Sequence, residues 1–181
     1  MNNENRFFWI DLEMTGLDAS KDVILEIASV ITDTQLNIIA HGPHYVINQP
    51  KNLLESMIPL VYKMHTESGL IDLVRTSTTT LEQAAQETYA FLKKHGERRK
   101  IFLAGNSVWM DRTFLDRYMP KITGFIHYRL VDVSTLKLLT QAWYPEQTAK
   151  KPDAKKGSHR ALDDVFESLA ELKLYKKQFF K

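Results

Sequence analysis

The sequence predicts an α/β fold in which helices flank a mixed five-stranded sheet. Two observations lead to this class. Three apolar segments typical of strands come first, and single strands then alternate with helical segments. The chain has 181 residues, of which 44% are hydrophobic, so it can bury one substantial core. We therefore expect a single domain over residues 1–181.

The first three strands are predicted near residues 6–12, 23–31 and 38–47. The first is apolar and aromatic, and the other two are rich in isoleucine and valine, residue types that pack well on a pleated sheet. A helical stretch follows from near Asn52. Pro59 interrupts or restarts it, because proline is not accommodated in a helix interior.

Strands and helices alternate in the second half. Apolar residues with helical spacing predict an amphipathic helix over 81–92, with a cap in the Ser/Thr run of residues 76–80. Strands near 100–104 and 128–133 precede helices from 111 and 134, and Pro120 marks the end of the first of these. The last helix is predicted from His159, with Ser158 as its N-cap.

Composition excludes several classes of protein. The chain has no cysteine, which excludes disulfides and thiolate zinc sites. No segment resembles a signal peptide or is long enough to span a bilayer, so we expect a cytoplasmic protein without a membrane partner. The 24 basic and 22 acidic residues are too balanced for a long nucleic-acid footprint, but suit a short oligonucleotide. The lysine-rich stretch 149–157 is expected to be a solvated loop, with a phosphate-touching lid as the alternative.

Two carboxylates sit in the first predicted strand. Asp11 and Glu13 are two residues apart, so their side chains point to the same face. Two converging acids in a buried strand repel each other and lose hydration unless a cation neutralises them. A hard divalent ion such as Mg²⁺ or Mn²⁺ suits them. The alternative is a hydrophobic strand that simply runs into an acidic turn.

A third acid, Asp111, falls in the first turn of a predicted helix. A carboxylate there is also favoured by the helix dipole alone, which is the structural alternative to metal binding. Asp116 is a competing acid in the same segment, and we expect it to be solvated.

The start of the last predicted helix carries a histidine and two acids. A histidine at a helix entrance, where the dipole favours neutral imidazole, suits a general base that accepts a proton from water. His159 is that candidate, with a surface histidine as the alternative. Periodicity does not decide whether Asp163 or Asp164 faces inward.

These segments together resemble the DEDD exonucleases of the histidine subclass and, within them, the oligoribonuclease family. The motifs WIDLEMTGLD, GNS followed by Asp111, HYR followed by DVSTLK, and H-x-A-x-D-D match that family's pattern in order and spacing. The resemblance implies a ribonuclease H-like fold, with His159 as general base and a set of four metal-binding carboxylates: Asp11, Glu13, Asp111 and Asp164. The family's spacing selects Asp164 over Asp163.

The resemblance also implies an activity. The expected enzyme is a 3′-to-5′ exoribonuclease that degrades short single-stranded RNA, especially dinucleotides, to 5′ mononucleotides by two-metal-ion hydrolysis with Mg²⁺ or Mn²⁺. The alternatives are a broader 3′-to-5′ exonuclease of the proofreading or RNA-trimming type and a non-catalytic RNA-binding module. The family further implies a homodimer in which Tyr128 reaches the neighbouring active site.

Substrate-binding residues follow from the same resemblance. The family sandwiches the bases between a leucine and a histidine, which match Leu17 and His65. Polar and basic groups hold the 5′ phosphate, and the residues implied for substrate binding in these motifs are Ser107, His127, Arg129 and Ser134. One position departs from the pattern, because Leu60 stands where the family carries a tryptophan.

Overall fold

The sheet of this protein is mixed and five-stranded, as predicted. A computed structural model describes residues 5–148 and 159–180. Within them the strand order is β3-β2-β1-β4-β5. β1–β2 and β2–β3 are antiparallel, whereas β1–β4 and β4–β5 are parallel. The strands are β1 (Arg6–Met14), β2 (Ile24–Thr32), β3 (Ile38–Val46), β4 (Ile101–Gly105) and β5 (Leu130–Asp132).

The helices within the described residues cover both faces and one end of this sheet. They are α1 (Lys51–Glu55), α2 (Pro59–Glu67), α3 (Leu70–Thr76), α4 (Leu81–His95), α5 (Trp109–Tyr118), α6 (Pro120–Phe125), α7 (Val133–Trp143), α8 (Pro145–Thr148) and α9 (Ala161–Phe179). Pro59 restarts the helical stretch as the first residue of α2. The predicted cap of α4 is Thr80, whose side chain accepts a hydrogen bond from the Gln83 N–H. No helix of this part of the chain combines the length and apolar character needed to cross a bilayer.

Of two predicted helix boundaries, the end marked by Pro120 is confirmed and the start of the last helix is wrong. Pro120 follows the end of α5 but also begins α6, because proline at the first helical position leaves no hydrogen bond unmade. The last helix begins at Ala161 rather than at His159, and its N-cap is Arg160. The predicted cap Ser158 and the lysine-rich stretch 149–157 lie outside the described residues.

Alternation along β1 divides the core into two layers. Phe8, Ile10 and Leu12 pack in one cluster with residues of α4, α5 and α6. Trp9 points to the opposite face and packs with α9, where Val165 and Leu169 are buried. Asp11 and Glu13 have the same parity as Trp9, so strand geometry directs both carboxylates toward the face that α9 covers.

A third, smaller core cluster joins α1 and α3 to the sheet. Leu25 of β2 packs there with Leu54, Leu70 and Val74, all of them fully buried. Val61 and Tyr62 of α2 pack against its edge. This cluster fixes α2 beside the carboxyl end of β1, which places α2 next to the acidic residues.

Candidate active site

Three carboxylates from two distant segments of the chain meet at the carboxyl end of β1. Asp11, Glu13 and Asp164 each offer an oxygen within 4.8 Å of the others. Glu13 is only 8% exposed, and the other two are half-buried. The packing of helix α9 on strand β1 therefore brings together three of the four carboxylates that the family resemblance implied. These three residues are called the acidic triad below.

Burial makes the charged form of this triad unfavourable. Desolvation raises the pKa of Asp11 well above its ordinary value, and the neighbouring carboxylates Asp111 and Glu13 raise it further. Desolvation, followed by repulsion from Asp164, raises the pKa of Glu13 to about 8. Burial also raises the pKa of Asp164, to about 6. A hard divalent cation ligated by oxygen would neutralise these charges, so the donor set fits Mg²⁺ or Mn²⁺.

Asp111 lies beside the triad but is not one of its members. It occupies the first turn of α5, as predicted, and is only 6% exposed. Its Oδ1 accepts a hydrogen bond of 2.9 Å from the Leu12 N–H, between the two acids of β1. Burial raises its pKa, which the Leu12 N–H opposes. Asp111 therefore faces the sheet rather than solvent, unlike an acid that only interacts with the helix dipole. The competing acid Asp116 is exposed and pairs with Arg112.

The structure separates Asp164 from its neighbour. Asp164 joins the acidic triad, whereas Asp163 is exposed on α9. Helical geometry accounts for the difference, because Val165 and Leu169 pack on β1 and thereby set the rotation of the helix. The choice that periodicity left open is settled by which face of α9 is buried.

His159 precedes α9 and is exposed to solvent. Its φ is 50°, a left-handed conformation that is uncommon for a residue with a side chain. It is not part of the helix, so the predicted position in the first turn is wrong. Burial is the main cause of the raised pKa of Asp164, and His159 is close enough to act in the opposite direction. His159 therefore lies near enough to Asp164 for their charges to interact.

A tight turn after β1 presents Leu17. The Asp22 carboxylate accepts hydrogen bonds from the Thr15 hydroxyl at 3.0 Å and from the Asp18 N–H at 2.9 Å. Gly16 lies against the same carboxylate, where an added Cβ would stand 2.4 Å from Asp22 Oδ2. A side chain at position 16 would therefore displace the Asp22 carboxylate from these hydrogen bonds. The side chain of Leu17 is 70% exposed at the tip of this turn.

A pocket of about 370 Å³ joins Leu17 to the acids. This volume suits a small ligand. Val61 and Met64 of α2 form its apolar wall, and sequence reasoning missed both. Their spacing of three residues, which places them on one face of a helix, was the available signal. The full lining comprises Asp11, Leu12, Glu13, Met14, Gly16, Leu17, Val61, Met64 and Asp164.

His65 lies beneath this pocket instead of at its surface. It is fully buried, and its Nε2 donates a hydrogen bond of 2.8 Å to the Met14 carbonyl. Its Nδ1 is 3.8 Å from Glu13 Oε2 and has no hydrogen-bond partner among the described residues. Burial lowers the pKa of His65. Contact between His65 and a base therefore stays a prediction. Leu60, which stands on the same helix where the family carries a tryptophan, is 74% exposed.

Two of the predicted substrate-binding residues, Ser107 and Ser134, are brought together. The Ser107 N–H donates to Ser134 Oγ at 3.0 Å, and the two hydroxyl oxygens are 3.1 Å apart. Asp132 accepts from both backbone N–H groups, which fixes the two turns against each other. Ser107 has a φ of 49°, a second left-handed residue at a predicted site position. Both serines follow parallel strands, so they lie at the same sheet edge as the carboxyl end of β1.

The HYR motif lies at the other end of β5. The His127 N–H bonds the Ile101 carbonyl at the amino end of β4, and the His127 ring lies 4.5 Å from that of Tyr128. The Arg129 guanidinium lies 5.6 Å from the Tyr128 ring centroid. Tyr128 and Arg129 are exposed. With a rise of about 3.3 Å per residue, β5 separates His127 and Tyr128 from the sheet edge that carries Ser134.

Comparison with known proteins identifies the family of this chain. The family model described as Exonuclease matches residues 8–172. An oligoribonuclease of Marinobacter nauticus is 49% identical over 181 residues, covering 100% of this chain and 99% of its own. The human mitochondrial oligoribonuclease is 49% identical over 176 residues, covering 97% and 74%. Exonuclease I of E. coli in complex with a dT13 oligonucleotide shares the fold, with a TM-score of 0.74 at 17% identity.

The extent of these matches differs between relatives. This chain covers 42% of the exonuclease I chain, with 97% of its own length, so that likeness concerns one part of a larger protein and shows the fold alone. The predicted ribonuclease H-like fold is confirmed by it. The family model and the two oligoribonucleases cover nearly the whole of this chain. The chain therefore belongs to the exonuclease family and, within it, to the oligoribonucleases.

Proposed function

We propose that this protein is a 3′-to-5′ exoribonuclease that hydrolyses short single-stranded RNA, dinucleotides in particular, to 5′ mononucleotides. The observation that carries the proposal is that the acidic triad and the exposed Leu17 line one pocket of about 370 Å³. A pocket of this volume suits one end of a short RNA placed beside the acids. The relatives named oligoribonucleases support RNA as the substrate.

The acidic triad and Asp111 would hold the metal ions, Mg²⁺ or Mn²⁺, with two as the proposed number. Bound divalent ions supply positive charge that activates water and stabilises the departing 3′ oxygen. Asp11, Glu13 and Asp164 bring their oxygens within 4.8 Å, so little rearrangement is needed to ligate a cation. Asp111 is the fourth carboxylate, and the hydrogen bond from the Leu12 N–H holds it in position.

His159 is the proposed general base, which accepts the proton from the attacking water. Its exposed ring stands outside the helix, where its approach to bound substrate is not blocked by α9. Leu17 would pack against a base at the pocket mouth. Ser107 and Ser134, whose hydroxyls lie 3.1 Å apart, would donate to a phosphate of the substrate.

Three labelled RNAs of two, five and twenty nucleotides test the proposal. The protein is incubated with Mn²⁺ and each 5′-labelled RNA, with Asp111→Asn as the inactive control. Rapid cleavage of the dinucleotide and slow cleavage of the twenty-nucleotide RNA are expected, because the proposed substrate is a short RNA. Faster cleavage of the longest RNA would indicate a broader exonuclease, and no cleavage of any would indicate a binding module.

We also propose that the active site is completed across a homodimer, with Tyr128 of one protomer reaching the site of the other. Tyr128 is 64% exposed, and it precedes β5, whereas the acidic triad lies at the carboxyl end of β1. A second copy of the chain can bring Tyr128 to that edge. His127 and Arg129, which adjoin Tyr128, would approach the 5′ phosphate with it.

Mixing two inactive variants is expected to restore activity. Tyr128→Ala and Asp111→Asn each inactivate both sites of a homodimer, but a mixed dimer keeps one complete site. After subunit exchange of equal amounts, we expect about a quarter of wild-type turnover, because half of the dimers are mixed and each has one intact site. Dinucleotide hydrolysis before and after exchange measures this. Turnover that does not rise on mixing contradicts a site shared between protomers.

Leu60→Trp is expected to lower the KM for a dinucleotide. Leu60 is 74% exposed on α2, next to the pocket-lining Val61. An indole there can stack on a base, which lowers KM by about fivefold or more if the contact is worth about 1–3 kcal/mol. Steady-state kinetics measures the change. Leu73→Trp, on α3 and away from the pocket, is the matched control, and an equal fall in KM for both variants would refute the stacking explanation.

A further inference from the structure

A fifth acid, near the triad and Asp111, is not accounted for by metal binding. Glu26 lies on β2 opposite Glu13 in the antiparallel register, and its side chain is 0% exposed. Burial alone would raise the pKa of Glu26. Hydrogen bonds from His44, Arg160 and the Ala161 N–H outweigh burial and lower the pKa to about 2, so the carboxylate is charged.

The partners of Glu26 occupy both of its oxygens. Arg160 donates through Nε at 3.2 and 3.1 Å and through Nη2 at 2.8 Å. The Ala161 N–H donates at 3.2 Å, and His44 Nε2 lies 2.7 Å from Oε1. Both oxygens of Glu26 are thus engaged by donors, and Glu26 is not a member of the acidic triad.

These contacts fix the beginning of α9. The N-cap of α9 is Arg160, whose own side chain makes no capping hydrogen bond. Glu26, 135 positions away in sequence on β2, caps the helix instead, because its carboxylate accepts a hydrogen bond from the N–H of Ala161, the first residue of α9. The contacts of Glu26 with Arg160 and Ala161 are called the anchor of α9. His159 immediately precedes this anchor, and Asp164 follows it within the first turn. The anchor therefore stands between the proposed base and the last acid of the triad.

We propose that Glu26 is a positioning residue for hydrolysis: by holding Arg160 and the start of α9, it sets where His159 and Asp164 stand relative to Asp11 and Glu13. This inference rests on the proposed function. It assigns the Glu26–Arg160 pair a place in the reaction without contact to substrate. A displacement of about 1 Å in a catalytic group can lower the rate about a hundredfold, so small shifts at this anchor matter.

Glu26→Gln tests the assignment, because the substitution keeps the shape of the side chain but removes its charge. The expected result is a kcat for dinucleotide hydrolysis at least about tenfold lower, with KM within about twofold of wild type. Arg160→Gln should have the same effect. The double variant should be no worse than the worse single variant, because both substitutions break one anchor.

His44→Ala is the matched control. It removes a partner of the same carboxylate but leaves the connection to α9 intact, so kcat should stay within about twofold of wild type. A fall in kcat for His44→Ala equal to that for Glu26→Gln would mean that activity depends on the buried charge of Glu26 and its partners in general, and not on the anchoring of α9. Effects of Glu26→Gln and Arg160→Gln that multiply in the double variant would also overturn the proposal.

The wild-type reaction separates the two levels of inference. If wild-type protein does not cleave the dinucleotide, the proposed function fails. If wild-type protein cleaves it and Glu26→Gln does so equally well, only the positioning role fails. Should Glu26→Gln not fold, Arg160→Gln carries the test, since the Arg160 side chain is 25% exposed and its replacement leaves no large cavity.

Discussion

Asp164→Asn is expected to lower the kcat for dinucleotide hydrolysis by about a thousandfold or more, whereas Asp163→Asn leaves it within about twofold. The two acids are adjacent in sequence, yet only Asp164 places a carboxylate oxygen within 4.8 Å of carboxylate oxygens of Asp11 and Glu13. An amide in its place offers a neutral oxygen and cannot balance a divalent charge. Asp163 is exposed and belongs to the solvent face of α9.

Kinetics and calorimetry together measure this difference. Turnover of the dinucleotide is compared with Mn²⁺ in excess, and binding of Mn²⁺ is titrated in the absence of RNA. Asp164→Asn should bind Mn²⁺ more weakly than wild type, and Asp163→Asn should bind it normally. Comparable losses in both variants would mean that the rotation of α9 relative to β1 differs from the one described here.

The metal-binding acids illustrate what the sequence could predict. Asp11 and Glu13 were assigned to one face by strand alternation, and both side chains do lie on the face of α9. This rule is local, because it needs only the strand itself. The choice between Asp163 and Asp164 was not local. It depends on which side of α9 packs on β1, and only the family pattern selected Asp164 before the structure was known.

Helix boundaries show the same limit. Thr80 caps α4 from three residues before its partner N–H, and the sequence predicted this cap region correctly. The start of α9 was misplaced, because it is fixed by Glu26, which lies on another strand. Pro120 marks the end of α5 as predicted, but the short helix α6 that it begins was not predicted. Proline is compatible with the end of one helix and with the first position of the next, and here it serves both.

The burial of His65 was equally inaccessible to sequence reasoning. A histidine on a short helix is usually exposed, and nothing near it in sequence signals otherwise. Its ring is buried because α2 docks beside β1 and the Met14 carbonyl accepts its Nε2–H. The pocket wall formed by Val61 and Met64 arises from the same docking. Contacts between elements, and not the elements themselves, are what the sequence left undetermined.

Removal of metal is expected to make the stability of the folded protein fall as pH rises from 5 to 8. The pKa of Glu13 is raised from 4.5 to about 8 and that of Asp164 from 3.8 to about 6 in the folded state. The folded protein therefore holds protons that the unfolded chain has released, and its stability falls with rising pH between these limits. We expect the Tm in excess chelator to be at least about 5 °C lower at pH 8 than at pH 5.

Glu26 has the opposite sign and sets the acid side of the profile. Its pKa in the folded state is about 2, below the ordinary 4.5, so the stability it contributes is present above pH 4.5 and is lost as the pH falls toward 2. The metal-free protein should consequently be most stable near pH 5. The two branches arise from neighbouring carboxylates, one set in need of a cation and the other already neutralised by Arg160.

Mn²⁺ should abolish the alkaline branch, because a cation bound by the acidic triad replaces the protons that the triad otherwise retains. Thermal denaturation between pH 3 and 8, with chelator or with Mn²⁺, gives the profile. Glu13→Gln removes one of the repelling charges, so its metal-free Tm at pH 8 should exceed that of wild type while its gain from Mn²⁺ shrinks. A metal-free wild-type Tm that is flat or rises from pH 5 to 8 would show that the carboxylates of β1 and α9 do not confront one another as charged groups. The cost that the triad imposes on folding is thus measured in the same experiment as the cation that relieves it.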